Sequence, residues 1–406
     1  MKLTPAAMAV LALVAGPAMA QSDVNLYGVL DAGLLNISTT SGAPQLGYLP
    51  TTTNGGAKTQ IKDGGLGASN WGIKGKEDLG GGLKASFQLQ GNIKSTTGEG
   101  GGRNSTGGTS LFNQMATVGL SGGFGEIKFG RQVSPMYWAM ASTDARSGRY
   151  FGSSLTGLVG MNSASGVYSG ASSNPAFGSV YNDNAVVYTS PTWNNLTVNI
   201  EYAFGETPGS GKANSQEALT AVYDAKGLKL SALYYNGYGN NLPDATAIYT
   251  QKLGNAAAAA AALTAAGLTP ATNTNRLTGV GALYNWGPYT VSASWMAARN
   301  PSNILVVPNG ATSLDMWSIG GGWKLAPNMN LTAGYYKIKD NTNAGNTATQ
   351  LAVGLDYLLS KRSILYVEAA SVTNHGRNMN LSPVYATAVA ANQNVHAVMM
   401  GLRTSF

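Results

Sequence analysis

The sequence contains no cysteine and only two histidines among its 406 residues. The lack of cysteine excludes a disulfide framework and thiolate metal sites. His375 and His396 have neither a paired metal-ligand spacing nor a nucleophile placed to complete a catalytic triad. The glycine-rich residues 98–102 lack the strand-to-helix pattern of a phosphate-binding loop. These absences argue against an enzyme, and we expect no cofactor and no metal.

Charged residues are scarce, at 11% of the chain, although lysine and arginine outnumber aspartate and glutamate by 25 to 18. Basic residues interleaved with aromatics, which typify nucleic-acid-binding segments, form no run here, so no nucleic acid partner is predicted. Long hydrophobic runs are missing as well. After residue 20 the longest is the alanine run 256–262, which is much shorter than the roughly 20 residues of a membrane-spanning helix.

The first residues of the chain have the pattern of a signal peptide. A lysine is followed by an apolar core at residues 6–15, and small residues precede a cleavage site between Ala20 and Gln21. We therefore predict a signal peptide over 1–20 and one mature domain over 21–406. An exported chain without disulfides is either periplasmic or a barrel in the outer membrane, and 54 glycines with 20 tyrosines favour the barrel.

Strict alternation of apolar and polar residues recurs along the whole mature chain. In one segment Leu196, Val198 and Ile200 alternate with Thr197 and Asn199. A single segment of this kind indicates only a half-exposed strand, but about a dozen in series predict a large antiparallel sheet. Further examples lie at residues 289–295, 351–357 and 398–406.

The connections between these segments are alternately short and long. Counting seven short and eight long connections predicts sixteen strands with both termini on the short-turn side, which is the asymmetry of a transmembrane β-barrel. A soluble β-sandwich is the alternative, but its usual seven to nine strands would leave the chain split among several sandwiches without linkers. The short connections are 79–82, 122–125, 191–195, 226–227, 286–288, 325–328 and 359–362; the long ones are 36–67, 94–108, 133–182, 205–216, 239–275, 299–312, 340–346 and 373–393.

Several sequence blocks resemble the general diffusion porins of Gram-negative bacteria, most of all their β-proteobacterial branch. These blocks are NLYGVLDAG at 25–33, WGIKGKEDLG at 71–80, FGRQ at 129–132, YTSP at 188–191 and the ending GLRTSF at 401–406. The resemblance implies an all-β, sixteen-stranded antiparallel barrel in the cell outer membrane, assembled as a homotrimer. It also implies a water-filled channel for small hydrophilic solutes and ions, contacts with outer-membrane lipids and lipopolysaccharide, and a terminal Phe406 that the barrel-assembly machinery recognises.

The same family folds its third external loop into the lumen to narrow the pore. Residues 133–182 form the matching connection, which is the longest of the chain. Loops above about 15 residues are usually functional or disordered. This one contains Asp144, Arg146 and Arg149, which we predict as pore residues. The alternative is a mobile surface loop.

On the wall opposite that loop, the resemblance places Arg131 in a basic cluster. We also assign Asp31 and Lys74 to the inward side of the wall. Period-2 counting instead places Arg131 with Phe129 on the lipid side, and a β-bulge would resolve this conflict. The cluster is thinner than in the family because arginines of the relatives are replaced here. We therefore expect a mild preference for anions. The replacing residues are Asn70, Val187 and Thr189.

Two other functions are compatible with such a barrel. A substrate-specific channel would show saturable transport along a track of charged or aromatic residues, and a structural or adhesin barrel would not conduct ions. The conductance of the purified protein in a planar bilayer distinguishes all three.

Overall fold

The computed structural model describes residues 23–42, 51–103, 109–164, 180–238, 254–265, 274–301 and 310–406. The predicted signal peptide and its Ala20/Gln21 junction lie outside the described residues. No helix within these ranges has the length and apolar character needed to cross a bilayer.

The described residues are organised mainly as antiparallel strands. The strands are β1 (Asp23–Ile37), β2 (Lys58–Asp63), β3 (Asn70–Gly80), β4 (Leu83–Asn92), β5 (Gly102–Arg103), β6 (Thr109–Ser110), β7 (Met115–Gly122), β8 (Gly125–Val133), β9 (Tyr181–Thr189), β10 (Leu196–Ala203), β11 (Gln216–Ala225), β12 (Leu228–Tyr238), β13 (Thr274–Trp286), β14 (Tyr289–Arg299), β15 (Ser313–Ala326), β16 (Met329–Asp340), β17 (Thr347–Leu358), β18 (Ser363–His375) and β19 (Asn394–Ser405). The helices are α1 (Pro135–Ser142), α2 (Ser154–Ala164) and α3 (Ala256–Ala265).

The main sheet closes on itself. Successive wall strands pair with each other, with β4 pairing with β7 because β5 and β6 form a separate small sheet. β19 returns to β1 with Leu402 opposite Ala32. Of the 17 strands in this sheet, β2 and β3 both pair with β1 and are two parts of one wall strand, which leaves sixteen wall strands. Closure pairs the edges that an open sheet would expose. The predicted sixteen-stranded barrel is confirmed.

All seven predicted short connections are turns between neighbouring strands. The tightest joins β11 to β12 through Lys226 and Gly227, whose φ angles are 48° and 85°. Two consecutive positive φ angles are the geometry of a two-residue hairpin with a type I′ turn. Two of the predicted long connections contain strands: loop 36–67 contains β2, and loop 94–108 contains the short strand β5. β1 has 15 residues, more than the 9–11 or so that a tilted strand needs to span a bilayer. Its loop-side end, where it pairs with β2, therefore extends beyond the membrane-spanning part of the wall.

Apolar side chains cover the outside of the barrel. On β18, Leu365 and Val367 are exposed, whereas the alternating residues Tyr366 and Glu368 are buried. Near the short turns lies a row of neighbouring aromatic rings with centroid distances of 5.8–6.0 Å, formed by Tyr284, Trp286, Tyr289 and Trp323. This belt has the position and composition of the aromatic girdle of a transmembrane barrel.

Three external loops turn into the barrel and form an apolar cluster there. The third loop contributes Phe151, Leu155 and Met161, and the last loop contributes Leu381 and Val384. Phe151 and Val384 form an isolated antiparallel β-bridge, and the Tyr385 N–H donates to Tyr150 O at 2.8 Å. The first loop adds Leu66 at the edge of the cluster. The inward folding of the first and last loops was not predicted from the sequence.

Candidate functional site

The third loop begins at the wall and lies against its inner face. Ser134 caps α1 by accepting from Met136 N–H, and Pro135 occupies the first turn, where a missing N–H costs nothing. The Ser134 hydroxyl also donates to Glu201 on β10 at 2.6 Å. The loop is thus attached to the wall at its first residue.

The two helices of this loop cover a large part of the wall. Met136 and Met140 of α1 are buried in the same cluster as Tyr235 of β12, and Leu155 and Leu158 of α2 in the same cluster as Met316 of β15. Contact is close enough that a Cβ on Gly281 of β13 would lie 2.0 Å from Thr143 Oγ1. The open passage therefore runs along the other side, past β3, β4 and β8.

Two predicted pore arginines fasten the loop to the wall. Arg146 and Arg149 both pair with Glu368 of β18, and Arg149 also pairs with Asp356 of β17 at 3.1 Å. Arg146 and Glu368 are fully buried. Burial alone would lower the pKa of Arg149, but the two carboxylates outweigh it, so this pKa is raised and the group stays charged. Two positive and two negative charges balance here, which leaves little net field for solutes.

Asp144 is a hydrogen-bond centre within the same loop. Its carboxylate accepts from Ser154 N–H at 2.9 Å and Tyr336 O–H at 2.8 Å, and also from Arg146 N–H. The side chain is buried. It connects the turn after α1, the start of α2 and the wall strand β16.

Arg131 lies next to a distortion of the wall. Gly130 has a φ of 110°, and the register between β8 and β9 shifts between Gly130 and Gln132. The buried Arg131 guanidinium donates to Asn113 O at 2.6 Å, pairs with Asp183 and lies over the ring of Tyr181. Tyr181 lines a cavity of about 250 Å³ near the external loops, whereas Arg131 does not.

Asp31 holds the first loop inward. Its Oδ2 accepts from Leu66 N–H at 2.9 Å and Gly67 N–H at 3.0 Å, and its Oδ1 accepts from Tyr366 O–H at 2.7 Å. Asp31 is fully buried. Of the six predicted pore residues, five are therefore fixed in contacts with the protein.

The sixth, Lys74, faces water. Together with Lys76 and Lys128 it lines the turn-side cavity of about 510 Å³, whose carboxylates are Asp23 and Glu126. Lys128 pairs with Glu126 at 2.8 Å, while Lys74 lies over the ring of Tyr27 at 4.9 Å. Three positive and two negative side chains leave this part of the passage weakly positive.

A second space, the loop-side cavity of about 250 Å³, lies where the loops approach the wall. On the wall it is lined by the amides Asn70, Gln90 and Gln114 and by Arg403 of β19. Gln90 and Gln114 are hydrogen-bonded to each other, and Gln90 also accepts from Tyr27 O–H at 2.8 Å, whereas Asn70 donates to Ala68 O at 3.2 Å. Of these residues only Asn70 was named from the sequence, as a replacement of a family arginine. Gln90, Gln114 and Arg403 were not predicted as site residues, although their inward position follows from period-2 counting.

Aromatic rings form the opposite side of the loop-side cavity. They are Tyr137, Trp138 and Tyr150 of the third loop, Tyr181 of β9 and Tyr385 of the last loop. Burial raises the pKa of Tyr137 to about 12, and burial likewise raises the pKa of Tyr150. These phenols are neutral. The Tyr137 O–H donates to Gly148 O at 3.2 Å, so it is mainly the ring surface of this residue that faces the cavity.

The predicted assembly residue lies at the seam of the barrel. Phe406 N–H donates to Gly28 O at 3.0 Å, and Gly28 N–H donates to Phe406 O at 3.1 Å. A Cβ on Gly28 would lie 2.3 Å from the Phe406 ring, so the glycine makes room for that ring. Half of the ring remains exposed on the outside.

Comparisons with known proteins agree with this architecture. Residues 7–377 match the family model of Gram-negative porins. The chain is 28% identical to outer membrane porin protein 32 of Delftia acidovorans over all of both chains. Two solved structures share the fold: an anion-selective porin from Comamonas acidovorans (TM-score 0.69, 21% identity, 95% of this chain and 100% of that one) and a trimer form of OmpT of Vibrio cholerae (TM-score 0.62, 17% identity, 95% and 99%).

The predicted resemblance and the predicted outer-membrane location are confirmed by these matches. The closed barrel, its apolar exterior and its polar passage are what a solute channel through the outer membrane requires. The chain belongs to the Gram-negative porin family and is an outer-membrane porin for small hydrophilic solutes.

Proposed function

We propose that this porin is a general diffusion channel with a weak preference for anions. The observation that carries the anion preference is the charge balance of the turn-side cavity, where Lys74, Lys76 and Lys128 exceed Asp23 and Glu126 by one charge. Fixed charges along a narrow aqueous passage attract counter-ions, and the low-dielectric wall strengthens their field. A porin of the same fold from Comamonas acidovorans is anion-selective.

The test is ion conductance of the purified protein in a planar bilayer under a salt gradient. We expect the sign of the reversal potential to show that anions cross more readily than cations. The magnitude of this potential should decrease as the salt concentration approaches about 1 M, because the Debye length is then about 3 Å and the fixed charges are screened. Cation selectivity at low salt would contradict the charge proposal. If the purified protein produced no ion conductance in the bilayer, the proposed channel function itself would be contradicted.

We further propose that the chain works as a homotrimer, inserted after removal of residues 1–20 and surrounded by outer-membrane lipids and lipopolysaccharide. An apolar groove of about 560 Å³ crosses the outer face of the barrel seam and is lined by Leu34, Ile61, Leu365 and Met400, which suits protein or lipid contact. Chemical cross-linking in native outer membranes should give a species of three chains. Mass spectrometry of the same material should find Gln21, or its cyclised form, at the N-terminus.

A further inference from the structure

Arg403 differs from the other arginines that face the interior of the barrel. Arg131, Arg146 and Arg149 are each held by carboxylates within hydrogen-bond distance. The nearest carboxylate oxygen to Arg403 is Asp31 Oδ2 at 3.9 Å, and that oxygen already accepts from Leu66 and Gly67.

Across the described part of the chain we find no hydrogen bond from the Arg403 guanidinium, and 30% of its side chain is exposed. A guanidinium has five N–H donors in a planar fork that matches a carboxylate. The Arg403 guanidinium therefore faces the loop-side cavity with N–H groups that can donate to a bound solute.

Aromatic rings face the same space. Trp138 is 59% exposed inside the barrel, although a large apolar ring in water is unfavourable unless something covers it. Its neighbour Tyr137 lies at a centroid distance of 5.1 Å, and Tyr150 packs on Tyr385 at 4.3 Å. These rings provide flat surfaces against which another ring can stack or meet edge to face.

The guanidinium and the Tyr150 ring are close to the same segment of the first loop. A Cβ on Gly67 would lie 2.9 Å from Arg403 Nη1, and a Cβ on Gly64 would lie 3.1 Å from the Tyr150 ring. Both groups thus contact the same short segment, residues 64–67. Among the described residues that line the cavity there is no carboxylate. The Asp31 carboxylate near Arg403 is buried and accepts hydrogen bonds from Leu66, Gly67 and Tyr366, so it does not face a solute in the cavity.

We propose that the loop-side cavity is a binding site for monocyclic aromatic carboxylates. The carboxylate pairs with the Arg403 fork, and the ring lies among Trp138, Tyr150 and Tyr385. A volume of about 250 Å³ is smaller than that of most ligand pockets and suits a solute with one ring. The inference rests on the proposed channel function, because the solute reaches this cavity through the open passage.

The test uses the full-length porin in a planar bilayer and records chloride current while benzoate is added. Acetate removes the ring from the probe, and benzamide removes the charge. We expect benzoate to reduce the current saturably, with half-reduction at a concentration about tenfold or more below that of either control, because each control lacks one of the two contacts.

Variants assign the effect to residues. Arg403→Gln should raise the benzoate concentration for half-reduction by about tenfold or more, measured relative to the open current of the variant itself. Arg362→Gln, in the exposed turn between β17 and β18, removes the same charge and should leave the benzoate response unchanged. Trp138→Ala provides a second variant and should weaken benzoate more than acetate.

Equal responses to benzoate and acetate, or an undiminished response in both Arg403→Gln and Trp138→Ala, would overturn the site. In those cases normal chloride conductance would leave the proposed channel function intact. An absence of chloride conductance would instead contradict the channel function.

Discussion

Glu368 joins the third loop to the wall at two points, because its fully buried carboxylate pairs with the guanidinium groups of both Arg146 and Arg149. An arginine deprived of its partner inside a protein cannot recover the hydration that it lost on folding. The ion pairs at this position therefore determine whether the loop can stay in the lumen.

Glu368→Gln should lower the free energy of unfolding by about 3 kcal/mol or more, because it leaves buried positive charge uncompensated. Urea unfolding followed by tryptophan fluorescence in detergent measures the change. The matched control is Asp224→Asn, which breaks the pair with Lys229 where Asp224 is 60% exposed, and it should cost less than about 1 kcal/mol. Equal losses in the two variants would show that Glu368 does not fasten the loop.

Lys74→Gln should shift the reversal potential toward cation flow, because Lys74 lines the turn-side cavity and its charge faces water. The reversal potential under a fixed salt gradient is the measurement. Lys361→Gln removes the same charge from the exposed short turn between β17 and β18 and should give a much smaller shift.

Arg131→Gln extends this comparison to the wall arginine that the family resemblance places in the constriction. Arg131 lines neither cavity and is paired with Asp183, so we expect a smaller shift than for Lys74→Gln. An equal or larger shift would assign the constriction field to Arg131.

At the scale of elements, the third loop behaves as part of the wall. α1 and α2 bury apolar side chains against β12 and β15, and polar contacts at Ser134 and Asp144 connect the loop to β10 and β16. An element with so many buried contacts opens rarely, because opening exposes all of them together.

Cysteines introduced at Thr143 and Ser231 should form a disulfide in the folded porin, because the two hydroxyl oxygens lie 2.9 Å apart and the natural chain has no cysteine to compete. Gel mobility with and without reductant detects the cross-link. Cysteines at Thr143 and Ser371 should remain separate, since Ser371 is exposed on the outside of β18. Failure of the first pair in folded protein would place the loop elsewhere.

At the scale of the whole molecule, the barrel depends on the pairing of its first and last strands. β1 and β19 pair over nine residues, and Gly28 and Phe406 exchange two backbone hydrogen bonds beyond that register. A closed barrel leaves no unpaired strand edge in the hydrocarbon, so a defect at this seam affects the entire fold.

Deletion of Phe406 should reduce the amount of heat-modifiable, folded porin in outer membranes, because it removes the ring and both seam hydrogen bonds. Phe406→Ala keeps the backbone and removes only the ring. A loss of folded porin in both variants would favour the ring as the assembly signal, and a loss in the deletion alone would favour the seam. Unchanged yield in both would exclude either role.

Much of the barrel could be predicted from the sequence because strand properties are local. The side-chain period of two determines which residues face lipid, and the glycine and asparagine turns determine where each strand ends. The sixteen strands, the short turns and the inward side of Asp31 and Glu368 all follow from these rules.

The contacts of the passage depend on tertiary structure. The alternation of Glu368 indicates its side of the sheet, but its pairing with Arg146 joins residues 222 positions apart, which no local pattern specifies. The bulge near Arg131 and the inward last loop likewise depend on which surfaces meet after closure. The sequence by itself therefore determined the barrel and the direction of its side chains, whereas the tertiary structure decided which charges are paired and which, like Lys74 and Arg403, remain open to solutes.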